Sequence, residues 1–348
     1  MSGQIYQTLL EDLDKGEEVA LITKYNLETK EIEKKLYKLD ELDKENLEYV
    51  DKAIKKNLIA NIKINENESV LAEVFKREHR LIVFGAGHVG YHLCHFALKV
   101  GFNVTVVDDR PYFANKEKFG DDINVICNTF ENAFKILDIH KEDYVVIVTR
   151  GHKHDKFCLE KILSLDELNY IGMIGSKRRV KIMKEELIEE GYLKEKIENI
   201  YSPIGLNIGA VTPEEIAISI LAELISVKRI GKLAAKNEKI KVNNSCELNK
   251  DVLEILAQNK NDKISLVTVI STKGSTPRKS GSKMIVYDSG KIIGTIGGGC
   301  AEAKIITDAA YMAGSKNLKI ETIDMTGEAA EEEGMVCGGM MTVLIEGI

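Results

Sequence analysis

A chain of 348 residues exceeds one ordinary core and implies two or three domains. Its 44% apolar and 30% charged residues are ordinary for a soluble protein with a sizeable core, and a net charge of −7 argues against nucleic-acid binding, which needs a basic face. No segment approaches the roughly 18 uninterrupted apolar residues of a membrane helix. Met1–Gly16, interrupted by Glu11, Asp12 and Asp14, has no signal-peptide core, so a cytoplasmic location is expected.

Residues 1–76 read as a small module: a helix over Ile5–Asp14, a strand over Glu18–Thr23, a helix over Lys44–Lys55, and strands over Leu58–Ile64 and Ser69–Phe75. Residues 77–231 alternate strand and helix, with strands near 81–85, 103–108, 123–127, 143–149 and 169–173 and a candidate sixth near 199–203. That alternation predicts a doubly wound parallel sheet. Its last helix is announced by Thr212-Pro213-Glu214-Glu215, which supplies a cap, a proline at the first helical position and a capping-box glutamate. A lysine-, alanine- and asparagine-rich linker is placed at 232–248. In the third unit, 249–348, a helix and strand over Asp251–Ile270 match Tyr6–Tyr25 in order and spacing, and Met341–Ile345 matches Ser69–Phe75 as a closing strand. The first module therefore reads as a worn copy of the last, without its glycine-rich centre. The expected fold class is α/β, a central Rossmann-like doubly wound parallel sheet flanked by smaller α+β modules.

The most informative stretch is Gly85-Ala86-Gly87-His88-Val89-Gly90, which follows the apolar run Leu81–Phe84 and opens a helical segment. A second apolar strand ends in Asp108-Asp109-Arg110. Strand, glycine turn, helix, strand and acid at this spacing form a dinucleotide-binding fingerprint. The glycines allow a pyrophosphate to approach backbone, and Asp108 is placed to accept hydrogen bonds from a ribose diol. Asp108 alone predicts an adenine nucleotide with an unphosphorylated ribose, a preference weakened by Arg110, which could bind a 2′-phosphate.

Other strand ends on that edge carry Thr149-Arg150-Gly151-His152-Lys153-His154-Asp155 and Gly175-Ser176-Lys177-Arg178. The second opens a helix, and its free N–H groups, Ser176, Lys177 and Arg178 suit an anion; an ordinary capped helix with solvated cations is the alternative. His152, His154 and Asp155, on an expected loop, can form part of a metal site, but their spacing is cramped and a fourth ligand is missing; the histidines are read instead as hydrogen-bonding a ligand or capping the following helix, and no metal is assigned.

Six cysteines occur without a C-x-x-C pair, and in a reducing compartment they are expected to be free thiols. Cys94 and Cys127 read as packing residues inside apolar elements. Cys300 sits behind Gly297-Gly298-Gly299 at the start of a helix, where the helix end favours a thiolate. Cys337 lies beside Gly338 and Gly339, and Arg278 stands in the turn Ser275–Gly281. Cys300 and Cys337 are the candidate catalytic residues.

With these residues in hand, the chain resembles the xanthine dehydrogenase accessory family, XdhC/CoxI. The resemblance rests on Phe84–Gly90, Val107–Pro111, Val148–His152, Tyr170–Ser176, Ser202–Ala210 and Thr212–Ala217 in the central domain. In the last module it rests on Gly274–Arg278, Gly281–Met284 and Gly294–Cys300. Members usually carry the cysteine-bearing module first; here the intact module comes last, an order that allows it to act across a dimer interface. The resemblance implies a protein that binds molybdenum cofactor (molybdopterin), assists its sulfuration and inserts it into a molybdenum hydroxylase client, with a cysteine desulfurase and a homodimer as expected partners. It implies a cofactor-maturation protein more than a freestanding catalyst. Gly85, Gly87, His88, Gly90, Asp108, Arg110, Thr149, Arg150, Gly175, Ser176, Lys177, Arg178, Arg278, Gly297, Gly298 and Gly299 are the candidate cofactor-binding residues, with NAD or another nucleotide as an alternative occupant of the Rossmann site. The competing readings are an NAD(P)-dependent oxidoreductase, which lacks a recognisable proton donor in a second domain, and a nucleotide-sensing regulatory module.

Overall fold

Glu78–Asn243 folds as a unit of its own, whereas Met1–Arg77 and Asn244–Ile348, far apart in sequence, fold together. The computed structural model describes residues 2–165, 168–231, 248–298, 300–325 and 338–348. The side chains of Ser2, Cys300 and Ala301 lie outside that description, as do nearly all of the expected linker, Gly299 and Cys337.

The N-terminal module comprises α1 (Ser2–Asp14), β1 (Val19–Asn26), β2 (Ile32–Lys38), α2 (Lys44–Lys55), β3 (Ile59–Lys63) and β4 (Glu68–Phe75). Tyr6, Leu9 and Leu13, at helical spacing, bury one face of α1. The Asp43 carboxylate caps α2 by accepting from the Asn46 N–H. The sheet is antiparallel, in the order β2-β1-β4-β3. Sequence reasoning missed β2, because Ile-Glu-Lys-Lys-Leu-Tyr-Lys carries too little apolar alternation; pairing of all its residues with β1 makes it a strand.

The middle unit runs β5 (Arg80–Phe84), α3 (His88–Lys99), β6 (Asn103–Asp108), α4 (Lys116–Phe119), β7 (Asn124–Cys127), α5 (Phe130–Ile136), β8 (Tyr144–Ile147), α6 (His152–Leu163), β9 (Tyr170–Met173), α7 (Lys177–Glu189), α8 (Lys194–Glu198) and α9 (Pro213–Ile230). All five strands are parallel, in the order β7-β6-β5-β8-β9, so the winding reverses between β5 and β8. One apolar core joins the sheet to α3 and α9, and a second on the opposite face joins it to α5, α6 and α7. This is the doubly wound Rossmann-like arrangement, in which ligands bind beyond the strand ends at the reversal. The candidate sixth strand is reduced to one parallel bridge between Gly172 and Tyr201. Cys94 is fully buried, but Cys127, the last residue of β7, is exposed, which corrects its assignment as a packing residue.

The C-terminal module comprises α10 (Lys250–Gln258), β10 (Ile264–Gly274), β11 (Lys283–Tyr287), β12 (Ile292–Gly294), α11 (Cys300–Met312), β13 (Leu318–Asp324) and β14 (Gly339–Gly347). Its antiparallel order, β12-β11-β10-β14-β13, contains the N-terminal order with one strand added at the edge. Hairpin partner, central strand, closing strand and edge strand follow the same succession in both, with a helix before the central strand and another before the edge strand. The two modules therefore share one succession of strands and helices. The register agrees too: Leu21 and Thr23 of β1 stand opposite Glu73 and Lys34, while Leu266 and Thr268 of β10 stand opposite Glu346 and Lys283.

The two copies pack on each other. Tyr6, Leu9, Leu13 and Leu21 share a core with Val252, Leu253, Leu256 and Leu266, and Tyr25, Ile59 and Leu71 share another with Ile270, Leu318 and Leu344. A Cβ on Gly3 would lie 3.1 Å from the Ala257 carbonyl, so the start of α1 meets the end of α10 at close quarters. Two buried ion pairs cross between the copies: Lys34 Nζ to Glu346 at 2.7 Å, and Lys283 Nζ to Glu73 at 2.5 Å. In each case the lysine of one copy's second strand meets the glutamate of the other copy's last strand. That reciprocity is the rule of a two-fold interface, here inside one polypeptide.

Candidate functional site

The turn from β5 into α3 shows three different demands on its glycines. Gly85 has φ +116°, and a Cβ there would lie 2.3 Å from the Val148 carbonyl. A Cβ on Gly90 would lie 1.9 Å from the Gly85 carbonyl, so this glycine lets helix and strand close up. Gly87, the helix N-cap, has no atom of the described residues within 4 Å of its Cβ direction. This is the division of labour in which the second glycine leaves room for a pyrophosphate. His88 is the first residue of α3, with its ring 6.4 Å from that of Phe113.

At the end of β6, Asp108 is buried and saturated. Its Oδ2 accepts from the Ala86 N–H at 2.9 Å and Arg110 Nη2 at 2.8 Å; its Oδ1 accepts from Arg110 Nε at 2.8 Å and the Arg110 N–H at 3.1 Å. Burial raises its carboxyl pKa, but the bonds from Arg110 and Ala86 outweigh burial and hold it below the usual carboxylate range. The adjoining Asp109 binds Arg150 bidentately at 2.8 and 2.9 Å, tying the end of β6 to the segment after β8 across the end of β5.

After β8, Thr149 donates to Asp155 at 2.5 Å, and burial pushes the Asp155 carboxyl up. His152, His154 and Asp155 form the first turn of α6 with Gly151 as N-cap, not a loop as expected. After β9, Ser176 caps α7 by accepting from the Arg179 N–H, leaving Lys177 and Arg178 exposed. Gly175 precedes that cap, with Val180 against it. Beside it, Lys177, Lys181, Lys184, Ser202 and Pro203 line an open groove.

Sequence reasoning missed Glu223. This buried carboxylate of α9 accepts from the Tyr170 hydroxyl at 2.5 Å and from the Gly205 N–H at 3.1 Å, anchoring the segment 203–209 beside the sheet. Burial first, and Glu223 second, raise the Tyr170 hydroxyl pKa well above its usual value. A lone acid within an amphipathic helix carries no sequence signal of such a role.

In the C-terminal module, the turn holding Arg278 and the glycine loop do converge. A Cβ on Gly297 would lie 2.9 Å from the Pro277 side chain and 3.8 Å from the Arg278 nitrogen, and Arg278 itself is exposed. Gly297 has φ +144°, a conformation that only glycine adopts readily. Glu302, in the first turn of α11, was also missed: its Oε1 accepts from the Thr295 hydroxyl at 2.8 Å and the Ile296 N–H at 2.9 Å, pinning the loop. Among the described residues, only Glu302 Oε2 comes near the Cβ direction of Gly298, at 3.9 Å. Cys300 opens α11, as its position behind the glycines suggested. Among the described residues, no group of three His, Cys, Asp or Glu side chains could hold a metal ion, and no helix is long and apolar enough to cross a membrane.

Residues 81–224 match the XdhC Rossmann domain, and residues 257–324 match the XdhC and CoxI family. The uncharacterized protein YqeB of Escherichia coli (strain K12) is 35% identical over 161 residues, covering 46% of this chain and 29% of that protein. A probable xanthine dehydrogenase subunit of Bacillus subtilis (strain 168) is 34% identical over 150 residues, 43% of each chain. The crystal structure of a xanthine dehydrogenase from Bacillus halodurans shares a TM-score of 0.50 and 30% identity, covering 66% of each chain. The chain thus spans less than half the length of these two curated relatives.

Proposed function

Because this chain belongs to the XdhC and CoxI family, matched over its parallel-sheet unit and its C-terminal module, we propose that it is an accessory protein for a xanthine dehydrogenase-type molybdenum hydroxylase. The names of the Bacillus relatives support that client class. In the finer reading the chain binds molybdenum cofactor and assists its sulfuration and insertion, with a cysteine desulfurase as sulfur source and a homodimer as the working form.

The observation that carries this reading is the loop of the C-terminal module. An exposed guanidinium, open glycine backbone and a cysteine at a helix start lie on converging segments, and this donor set fits a phosphate-bearing dithiolene ligand. Arg278 would hold the phosphate, Gly298 would admit the pterin face, Gly297 lets the loop close on Pro277, and Cys300 would present a soft nucleophilic sulfur. Glu302 keeps the loop in place. The cofactor, when bound, supplies a molybdenum centre whose oxo ligand is exchangeable for sulfide.

Co-expression with a molybdenum hydroxylase client tests this. Cys300→Ser is expected to leave circular dichroism and thermal unfolding unchanged while client activity and sulfurated cofactor content fall to the level without accessory protein. Cys94→Ser is expected to keep activation and lose about 1–2 kcal/mol of stability, because a hydroxyl replaces a thiol at a fully buried site. Full activation by Cys300→Ser would remove the thiol role.

A further inference from the structure

We propose that the glycine-turn site of the Rossmann unit selects an adenosine ligand bearing a ribose 2′-phosphate, with Arg110 as the specificity-determining residue. A ribose diol needs a carboxylate with free acceptor capacity at the end of the second strand, whereas a 2′-phosphate needs a cation there. Asp108 stands at that position, but its two oxygens take four hydrogen bonds, three from Arg110 and one from the glycine turn, and its side chain is only 2% exposed. The carboxylate therefore acts as the holder of a guanidinium and offers a diol nothing.

Arg110 is the group presented instead. Nε and Nη2 are committed to Asp108, and Nη1 has no hydrogen-bond partner among the described residues. Its plane lies over Phe113 at 4.0 Å, and its side chain is 30% exposed, so it is oriented from two sides and still reachable. Lys118 stands near the same ring, 4.9 Å from its centroid and 3.9 Å from that of Tyr112, without a carboxylate partner among the described residues. The other acid of the segment, Asp109, is neutralised by Arg150. With Asp108–Arg110 and Asp109–Arg150 each paired, Lys118 is the cation left over at the end of β6, and it stands with the free Nη1 edge of Arg110 beside two aromatic rings, which suits a phosphorylated ribose with its adenine stacked. Asp108 read alone favours an unphosphorylated ribose; the structure reverses that preference because Arg110 consumes the acceptor.

Calorimetry on the full-length chain with NADP, NAD, 2′,5′-ADP and 5′-ADP tests the assignment. Each 2′-phosphorylated probe is expected to bind at least about tenfold more tightly than its unphosphorylated counterpart, about 1.4 kcal/mol. Arg110→Ala is expected to abolish that preference and to strengthen NAD binding, since Asp108 then regains free oxygens for the diol. Lys118→Ala should weaken NADP and leave NAD unchanged. NAD binding as tightly as NADP, or no binding of any of the four probes by the folded protein, overturns the proposal. So does an Arg110→Ala variant that keeps the wild-type ratio while its fold is intact by circular dichroism. None of these outcomes bears on client activation, so the two readings fail separately.

Discussion

Replacing Glu73 with leucine is expected to cost the unit built from residues 2–77 and 248–348 about 3–5 kcal/mol, because it leaves the buried Lys283 ammonium without its counter-charge. Lys283 has a side-chain exposure of 4%, and besides Glu73 it reaches the Thr268 hydroxyl at 3.3 Å, which cannot neutralise it. Glu346→Leu should act in the same direction through Lys34, moderated by that lysine's greater exposure of 14% and its bond to the Tyr6 hydroxyl. The paired replacement Glu73→Leu with Lys283→Met should recover most of the loss, since a well-packed apolar pair often equals a buried ion pair in stability. Urea unfolding of the single and double variants measures this. Equal losses in single and double variants would show that leucine fails sterically and that the charge is not at issue. The Lys34 contribution is insensitive to pH near neutrality. Burial opposes its ammonium, but Glu346 and Tyr6 prevail and raise its pKa, so the stabilisation is complete below the unfolded lysine value of roughly 10.4 and fades only as pH rises through the higher folded one.

The crossed pairs also explain why a module without the glycine loop persists. The first copy retains the face that covers the second: α1, the central strand and the two charges that fix register. It lacks the glycine loop: the five residues between β2 and α2, Leu39 to Asp43, include no glycine and no cysteine. Under the proposed function, one copy supplies packing and the other the site. Buried ion pairs contribute little net stability against apolar alternatives, but they penalise any misaligned docking of two apolar faces, which is a role in registry.

The sequence disclosed the parallel sheet because the strands of the middle unit are short, mostly apolar runs that lead into glycine or polar residues. It disclosed the glycine turn for the same reason: the motif and its flanking elements are contiguous. What it withheld depends on contacts remote in sequence. Nothing in the run Lys34-Lys35-Leu36 marks Lys34 as buried, because its partner Glu346 is the third residue from the other end. Asp108 was legible as an acid at the right place, yet its four hydrogen bonds were not. The segment His152–Asp155 reads as a loop until Gly151 is seen to cap a helix starting at the next residue. The joining of the flanking modules into one unit was invisible for a simpler reason. Order along a chain says which elements exist, not which of two separated faces will meet.

The glycine turn itself admits a test that separates packing from ligand approach. Gly90→Ala is expected to destabilise the Rossmann unit by about 3 kcal/mol, the upper part of the range for overpacking. Its Cβ would sit 1.9 Å from the Gly85 carbonyl, and both groups belong to backbone that α3 and β5 hold rigidly, so neither can step aside. Gly87→Ala is expected to leave stability within about 0.5 kcal/mol of wild type, since the residue has φ −66° and its Cβ would meet no atom of the described residues within 4 Å. If a pyrophosphate lies against that open backbone, the same methyl group stands where the ligand must come, and NADP affinity should fall by about tenfold, or about 1.4 kcal/mol. Chemical denaturation and calorimetry on the two variants check both statements. A Gly87→Ala protein that binds NADP as well as wild type would move the ligand away from the turn. A Gly90→Ala protein of unchanged stability would contradict the close approach of α3 to β5 on which the whole crevice depends.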